Sequence, residues 1–303
     1  MFKKTLFLSA VLVFVLSLVT LSFAATWVEN GTYLPAAWIR DFEPSEGFWE
    51  EQMIELESLY FKYQFCNLTE FDDQGNMSIA RYSARLPGNK WENILVQWCD
   101  LSHQVNPDAL AIGWVNGNIS LAENVSAHQN MADFCAFLVA EDGCRCDGVH
   151  IDFEPVRQDN PTYLQLMQTM RASIGPDKHF SVALPLLTLS ADYIHDISLV
   201  VDQIGIMCYA TGINDSGDYI AMISSEVARF SAAMDPSCEL SPIMPNYTMY
   251  GYMHNPQTEN IINCSAAFDQ AIGEGANVHG AGLWWWYEFY EEDKVDWLTY
   301  WVR

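Results

Sequence analysis

Residues 147–155 read DGVHIDFEP, and this stretch carries the strongest structural signal in the chain. Side chains alternate along a β-strand, so the apolar and the ionisable members of this stretch would point to opposite faces. The apolar members are Val149, Ile151 and Phe153, and the ionisable members are His150, Asp152 and Glu154. Parallel strands are usually apolar on both faces, so three ionisable groups in succession are costly unless a site requires them. We therefore predict a strand over 148–154 that ends at a functional site.

Similar short apolar runs occur eight times along the chain. They lie at 36–41, 60–68, 109–116, 148–154, 180–185, 203–209, 240–246 and 281–286. Segments with helical spacing lie between them, at 48–59, 127–140, 163–174, 220–234 and 264–273. This alternation predicts the α/β class, with eight parallel strands closed into a single (β/α)8 TIM barrel. An open doubly wound sheet fits less well, because no Gly-rich phosphate loop follows the first strand.

The N-terminus is typical of an export signal. Lys3 and Lys4 precede an apolar stretch over 6–21, and small residues follow at Ser22 and Ala24. We expect a signal peptide at 1–24, a barrel domain at 25–303 and a secreted, extracellular protein. An uncleaved membrane anchor is the alternative, since the apolar stretch approaches the ~20 residues that span a bilayer.

Two further patterns agree with export. Asn-X-Ser/Thr sequons begin at Asn30, Asn67, Asn76, Asn118, Asn124, Asn214, Asn246 and Asn263, which favours a glycoprotein. The chain has 8 cysteines, an even number that predicts two or three disulfides in an oxidising compartment. Cys144 and Cys146 are too close to pair comfortably with each other, and Cys208 lies in an apolar run where a buried free thiol is expected.

The charge of the chain restricts its partners. A formal net charge of -25 repels nucleic acid and anionic membrane surfaces, so the expected substrate is neutral or cationic. The acidity is equally compatible with a solubility or high-salt adaptation.

The two carboxylates at the end of the predicted fourth strand suit acid catalysis. Active sites of TIM barrels lie at the C-terminal ends of the strands, and residues two apart on a strand are about 6 to 7 Å apart. Partial burial and the charge of Asp152 would raise the pKa of Glu154, which could then donate a proton to a leaving oxygen.

The same stretch resembles the Asp-X-X-Asp-X-Asp-X-Glu signature of family 18 glycoside hydrolases, the chitinases and endo-β-N-acetylglucosaminidases. Asp147, Asp152 and Glu154 match the first, third and fourth acidic positions, and His150 takes the place of the second. Residues 207–209 (MCY) resemble the sixth-strand Met-X-Tyr, and 282–286 (GLWWW) resemble the eighth-strand ending, whose Trp is best matched by Trp286. The resemblance is chiefly to compact plant-type members without an inserted small domain, and it runs from about residue 36 to the C-terminus.

The resemblance implies a secreted hydrolase of β-1,4-linked N-acetylglucosamine, either chitin-like chains or the chitobiose core of N-glycans. In the implied substrate-assisted retaining mechanism, Glu154 is the general acid, Asp152 orients the acetamido group and Tyr209 hydrogen-bonds its carbonyl. The candidate substrate contacts are Trp286, His150, Asp147, Asn246 and Trp114. Ala210 replaces the Asp often found after the sixth-strand Tyr, and residues 113–117 (GWVNG) replace the third-strand Ser-X-Gly-Gly.

Other classes of site have less support. One strand would supply every ligand of a metal near His150, and no second histidine cluster completes the sphere, so no metal and no cofactor are predicted. The sequence contains no Gly-X-Ser-X-Gly elbow, so a serine hydrolase is not indicated. The partner expected is an N-acetylglucosamine oligosaccharide or polysaccharide bound by a monomer. Two alternatives stay open, a carbohydrate-binding barrel with little or no activity and a glycosidase for a different sugar.

Overall fold

A computed structural model describes residues 29–35, 47–77, 90–156, 158–248, 253–284 and 286–302. The predicted signal peptide, 1–24, and the predicted first strand, 36–41, lie outside these residues. None of the helices in these residues combines the length and the apolar character of a membrane-spanning segment.

Parallel strands form the centre of the molecule. They are β1 (Asn30–Leu34), β2 (Phe61–Glu70), β3 (Leu110–Asn118), β4 (Gly148–Glu154), β5 (His179–Pro185), β6 (Gln203–Met207), β7 (Glu239–Leu240), β8 (Ile243–Pro245) and β9 (Gly282–Trp284). β1 to β6 pair in chain order, β6 pairs with both β7 and β8, and β9 pairs with β8 and β1. Since β7 and β8 are two segments of the seventh barrel strand, the sheet closes into an eight-stranded barrel, as predicted.

The position of the first barrel strand differs from the prediction. Asn30–Leu34 pairs with β2 on one side and with β9 on the other, so it fills the place assigned to 36–41. Asn30 shows why the sequence misled us: it is a sequon asparagine, yet it is fully buried and its Oδ1 accepts from the Ala281 backbone N–H and the Trp301 indole N–H. A glycan on Asn30 is incompatible with these contacts.

Helices surround the barrel strands. They are α1 (Gly47–Ser58), α2 (Lys90–Val105), α3 (Ile119–Glu123), α4 (His128–Val139), α5 (Pro161–Ile174), α6 (Ala191–Ser198), α7 (Ser216–Ala233), α8 (Ile261–Gly273) and α9 (Glu291–Asp296). Local sequence fixes where several begin, because side-chain oxygens satisfy the free N–H groups of the first turn. Asn160 caps α5, whose first residue is Pro161, and Ser190, Asp215 and Asn260 cap α6, α7 and α8.

The alternation predicted for β4 is observed. Val149, Ile151 and Phe153 are fully buried in the large apolar layer between the barrel strands and the helices. A smaller cluster fills the barrel interior, and it consists of Tyr33, Tyr63, Phe65, Ile112, Trp114, Ala183 and Ile243. Because these large side chains close the barrel below its rim, polar chemistry is restricted to the strand ends.

The cysteines do not form the predicted bridges. All eight belong to the described residues, and all eight are buried free thiols. The prediction of two or three disulfides is therefore not confirmed, whereas Cys208 is a buried free thiol as expected. The connection from β8, which ends at Pro245, to α8, which begins at Ile261, is too short for an inserted domain.

Candidate active site

The pairing of β3 with β4 brings polar side chains together at the C-terminal rim of the barrel. Asn116 lies opposite Asp152 and Asn118 lies opposite Glu154 in the register of these two strands. Side chains paired in this way point to the same face of a sheet. Two carboxylates and two amides therefore share one edge of the barrel mouth.

Glu154 stands between two pockets. The first has a volume of about 470 Å³ and is lined by Asn67, Trp114, Asn116, Gly117, Asn118, Asp152, Glu154 and Trp284. The second has a volume of about 420 Å³ and is lined mainly by apolar groups, among them Pro185, Leu186, Met207, Tyr209 and Met253, with Glu154 again in its wall. A ligand that extends across both pockets must pass the Glu154 carboxyl group.

Burial alters the acidity of both carboxyl groups. The pKa of Asp152 is raised to about 7, first by burial and then by the charge of Glu154, although the Trp114 indole N–H lowers it. Burial also raises the pKa of Glu154. With a pKa of about 7, Asp152 still holds a proton in part of the molecules at neutral pH. The Oδ1 atom of Asp152 is buried and has no hydrogen-bond partner among the described residues.

Aromatic rings form the remaining wall. Tyr209 is stacked on Trp284, with ring centroids 6.0 Å apart and planes at 23°. Tyr247 meets Tyr209 edge-on at 6.0 Å. Trp284 also contacts Trp114 edge-on at 5.2 Å, so these ring contacts connect the wall of the first pocket, which Trp114 and Trp284 line, to that of the second, which Tyr209 lines. Such a surface suits the apolar C–H face of a pyranose ring.

His150 is not placed to contact a substrate. It is 1% exposed, its Nδ1 hydrogen-bonds Ser181 Oγ at 2.8 Å, and its Nε2 hydrogen-bonds Tyr33 Oη at 3.3 Å. Burial lowers the pKa of His150 to about 3, so the ring is neutral. The predicted substrate contact is corrected, because the histidine belongs to the barrel interior, and its hydrogen bonds go to Ser181 and Tyr33 rather than to Asp152.

Asp147 also requires a correction. It precedes β4, at the opposite end of the barrel from Glu154, about 23 Å away at the rise of a strand. Its Oδ2 accepts from the Ala111 N–H at 2.7 Å and is 2.9 Å from His103 Nε2. It therefore ties β3 to β4 and the end of α2, and does not reach the cleft.

The predicted sugar-facing tryptophan, Trp286, lies two residues after the tryptophan that lines the cleft. Trp286 is only 7% exposed and packs edge-on against Phe61 with centroids 5.9 Å apart, so it belongs to the core. Trp284, two residues earlier, lines the cleft. The sequence offers three consecutive tryptophans, and without the register of β9 it could not show which one faces the mouth.

The two remaining predicted contacts have different positions. Trp114 lines the first pocket, although it is nearly fully buried. Asn246 is 6% exposed and its backbone N–H donates to the Trp284 carbonyl at 2.8 Å, so it fixes β8 against β9 and is not among the pocket-lining residues described above.

Three asparagines were missed. Asn67, Asn116 and Asn118 line the first pocket, and Asn116 Nδ2 lies 3.5 Å from Asn67 Oδ1. Their alternation with Val115 and Gly117 at the end of a predicted strand was a usable signal. Gly117 is required between them, because a Cβ there would lie 2.4 Å from the Phe153 ring. Among the described residues, no group of three His, Cys, Asp or Glu side chains could hold a metal ion.

Comparison with known proteins identifies the fold. No family model matches the sequence, and the search of curated proteins gives no match. Among solved structures, the chain is similar to a chitinase-like agglutinin from Robinia pseudoacacia, at 13% identity and a TM-score of 0.58 over 88% of this chain and 99% of that one. It is similar to a mutant class V chitinase from Nicotiana tobaccum in complex with NAG4, at 10% identity and a TM-score of 0.59 over 89% and 98%.

A third similar structure is the chitinase domain of a spore coat protein from Clostridium difficile, at 16% identity and a TM-score of 0.50. The alignment covers 75% of this chain and 66% of that one. The described part of the chain therefore has the barrel fold of the family 18 chitinases and of a chitinase-like agglutinin.

Proposed function

We propose that this protein binds oligosaccharides of β-linked N-acetylglucosamine in the rim cleft and hydrolyses them with Glu154 as the general acid. One observation carries the proposal: the only carboxyl group common to the two pockets is that of Glu154, and a second carboxyl group lies beside it on the same strand. The raised pKa values of both groups keep a proton in the pair near neutral pH.

Each step assigns a proton or a bond to a group of this chain. Glu154 gives its proton to the glycosidic oxygen while the bond from that oxygen to the anomeric carbon breaks. The acetamido oxygen of the same sugar bonds to the anomeric carbon, so no protein nucleophile is needed. Water then attacks the anomeric carbon and gives a proton to the Glu154 carboxylate, while the bond from the acetamido oxygen to that carbon breaks and the acetamido group is restored. Asp152, through its unpartnered Oδ1, accepts the acetamido N–H and balances the developing positive charge.

The walls of the cleft suit this substrate. The Trp284 and Tyr209 rings supply a stacking surface next to Asp152 and Glu154, and in the proposed complex the Tyr209 hydroxyl donates to the acetamido carbonyl. Asn67, Asn116 and Asn118 supply donors and acceptors for sugar hydroxyls. The NAG4 bound to the class V chitinase from Nicotiana tobaccum supports the choice of sugar.

The test is the Glu154→Gln variant, which keeps the shape of the side chain and removes its acid. We expect turnover of chitotetraose to fall by about 10²-fold or more, as for loss of a general acid, while the affinity for the oligosaccharide stays within a few fold. Asp177→Asn, an exposed acid before β5, is the matched control and should retain full activity. Equal turnover by Glu154→Gln and wild type would refute the assigned role.

A binding protein without turnover is the second candidate. The interior position that carries an Asp in the signature holds a neutral His150 bonded to Ser181 and Tyr33, so Asp152 has no acidic partner below it. The similarity to a chitinase-like agglutinin also favours this candidate. Calorimetry with chitotetraose, followed by product analysis of the same sample, separates the two: heat of binding without shorter sugars identifies the binding protein.

We further propose that the chain is exported as a monomeric glycoprotein after cleavage near residue 24. N-terminal sequencing and glycan mapping of protein recovered from culture medium test this proposal. Exposed sequons such as Asn76 and Asn214 are the expected sites. Glycan on buried Asn30 would contradict the fold.

A further inference from the structure

A buried charged pair lies behind the aromatic wall of the cleft. Glu259 is 1% exposed and His254 is 5% exposed, and the two are in direct contact through Oε2 and Nδ1. Both lie in the connection between β8 and α8, just before the Asn260 cap. Neither of them lines the two pockets described above, and the signature residues do not include them.

Glu259 holds the backbone that follows Tyr209. Its Oε2 accepts from the Ala210 N–H at 2.9 Å, and its Oε1 accepts from the Thr211 N–H at 2.7 Å and from Thr211 Oγ1 at 2.6 Å. Ala210 has a φ of 56°, in the left-handed region, which an alanine adopts only at an energetic cost. A conformation of this kind persists only where neighbouring groups fix it, and the Glu259 carboxylate does so.

His254 holds the second tyrosine. Its Nε2 is 3.1 Å from the Tyr247 carbonyl oxygen, and the two rings are packed with centroids 3.8 Å apart. A carbonyl oxygen and a carboxylate both only accept, so each ring nitrogen of His254 must donate. The ring therefore bridges Glu259 to the Tyr247 backbone.

Other bonds join the same two segments. The Gly212 N–H donates to the Met253 carbonyl at 2.8 Å, and Thr258 Oγ1 donates to the Asn214 carbonyl at 3.1 Å. The segment after β6 and the segment after β8 thus form one braced unit, and the charged pair is its buried centre.

We propose that the Glu259–His254 pair positions Tyr209 and Tyr247 in the wall of the cleft and so sets the geometry in which Tyr209 meets the acetamido group. The inference rests on the proposed function for its effect on hydrolysis. In this sequence, Glu259 supplies from a distant segment a carboxylate that fixes the chain immediately after Tyr209, where Ala210 has no polar side chain of its own.

The test compares Glu259→Gln with Asp202→Asn. Asp202 is a matched control because its carboxylate also accepts a backbone N–H, that of Phe180 at 2.7 Å, and contacts a cation, Arg171, but at the opposite end of the barrel. We expect Glu259→Gln to lower kcat for chitotetraose by about 10- to 100-fold, as for a small misplacement of a reacting group, with a much smaller change in KM. Asp202→Asn should leave kcat unchanged at temperatures where it is folded. A kcat of Glu259→Gln that falls only with its folded fraction would overturn the proposal.

Nitrogen-15 NMR of the indole and imidazole groups gives a readout that needs no activity. Glu259→Gln should shift the Trp284 indole signal, because the stacked Tyr209 ring moves, and leave the Trp297 signal, whose N–H donates to the Leu59 carbonyl, in place. In wild type, both His254 nitrogens should carry protons. If the Glu variant does not fold, His254→Gln tests the same shift. An unmoved Trp284 signal, or a singly protonated His254, refutes the inference even if wild type hydrolyses no sugar, whereas absent hydrolysis with shifted Trp284 refutes only the proposed activity.

Discussion

Replacing Asp152 by Asn should stabilise the protein at alkaline pH and not at acidic pH. The folded state holds the Asp152 carboxyl group with a pKa of about 7, against an ordinary value of 3.8. The folded protein therefore binds a proton that the unfolded chain has lost, and the free energy of unfolding falls as the pH rises through this interval. Below it both states are protonated, and above it the folded state bears the full cost of a buried charge beside Glu154.

The size of the effect follows from the same interval. The difference from 3.8 to about 7 corresponds to about 4 kcal/mol. Because part of the Asp152 side chain opens into the cleft, water screens its charge, and we expect about 2 kcal/mol for the gain at pH 8.5. For a domain of this size that gain raises the melting temperature by about 4 °C.

Urea unfolding of wild type and of Asp152→Asn at pH 4, 6 and 8.5 measures the gain. The difference between the two proteins should increase steadily with pH, and surface variant Asp177→Asn should show no such increase. A difference that does not depend on pH would mean that Asp152 is ionised normally in the folded state, and the account of its environment would be wrong.

Three other predictions concern the cleft and the side chains packed around it. The value of kcat/KM for chitotetraose should fall about tenfold per pH unit above about pH 7, because the Asp152–Glu154 pair then loses its last proton, and a plateau extending to pH 9 would contradict this. Trp284→Ala should weaken oligosaccharide binding, measured by calorimetry, by about 1 to 2 kcal/mol, with a small loss of stability. Trp286→Ala should instead lower the free energy of unfolding by about 3 to 5 kcal/mol, with little change in affinity. The reverse pattern would show that Trp286 is the residue on which the sugar stacks. His150→Ala should lower the free energy of unfolding by about 3 kcal/mol, because it leaves a cavity and deprives Ser181 Oγ and Tyr33 Oη of a partner; a large rise in KM without loss of stability would show that His150 contacts the sugar.

Several features could be predicted from local sequence because local rules fix them. The period of two in residues 149–154 predicted that the apolar and the ionisable side chains of β4 point to opposite faces, and the alternation of short strands with helices predicted the barrel. Capping residues such as Asn160 and Ser190 mark where helices begin. The first strand was misplaced because Asn30 and Thr32 are polar by composition, and only their contacts inside the closed barrel make them buried.

The sequence by itself determined the fold class and the pairing of Asp152 with Glu154 at the end of one strand, since both depend on residues close together in the chain. Tertiary structure alone decided that Asp147 and His150 are structural, that Trp284 rather than Trp286 lines the cleft, and that Glu259 acts on the backbone after Tyr209. These outcomes depend on the register between neighbouring strands and on contacts between segments distant in the chain. The physical reason is that a shift of one residue in register turns every side chain of a strand to its other face, and no local pattern fixes such a shift.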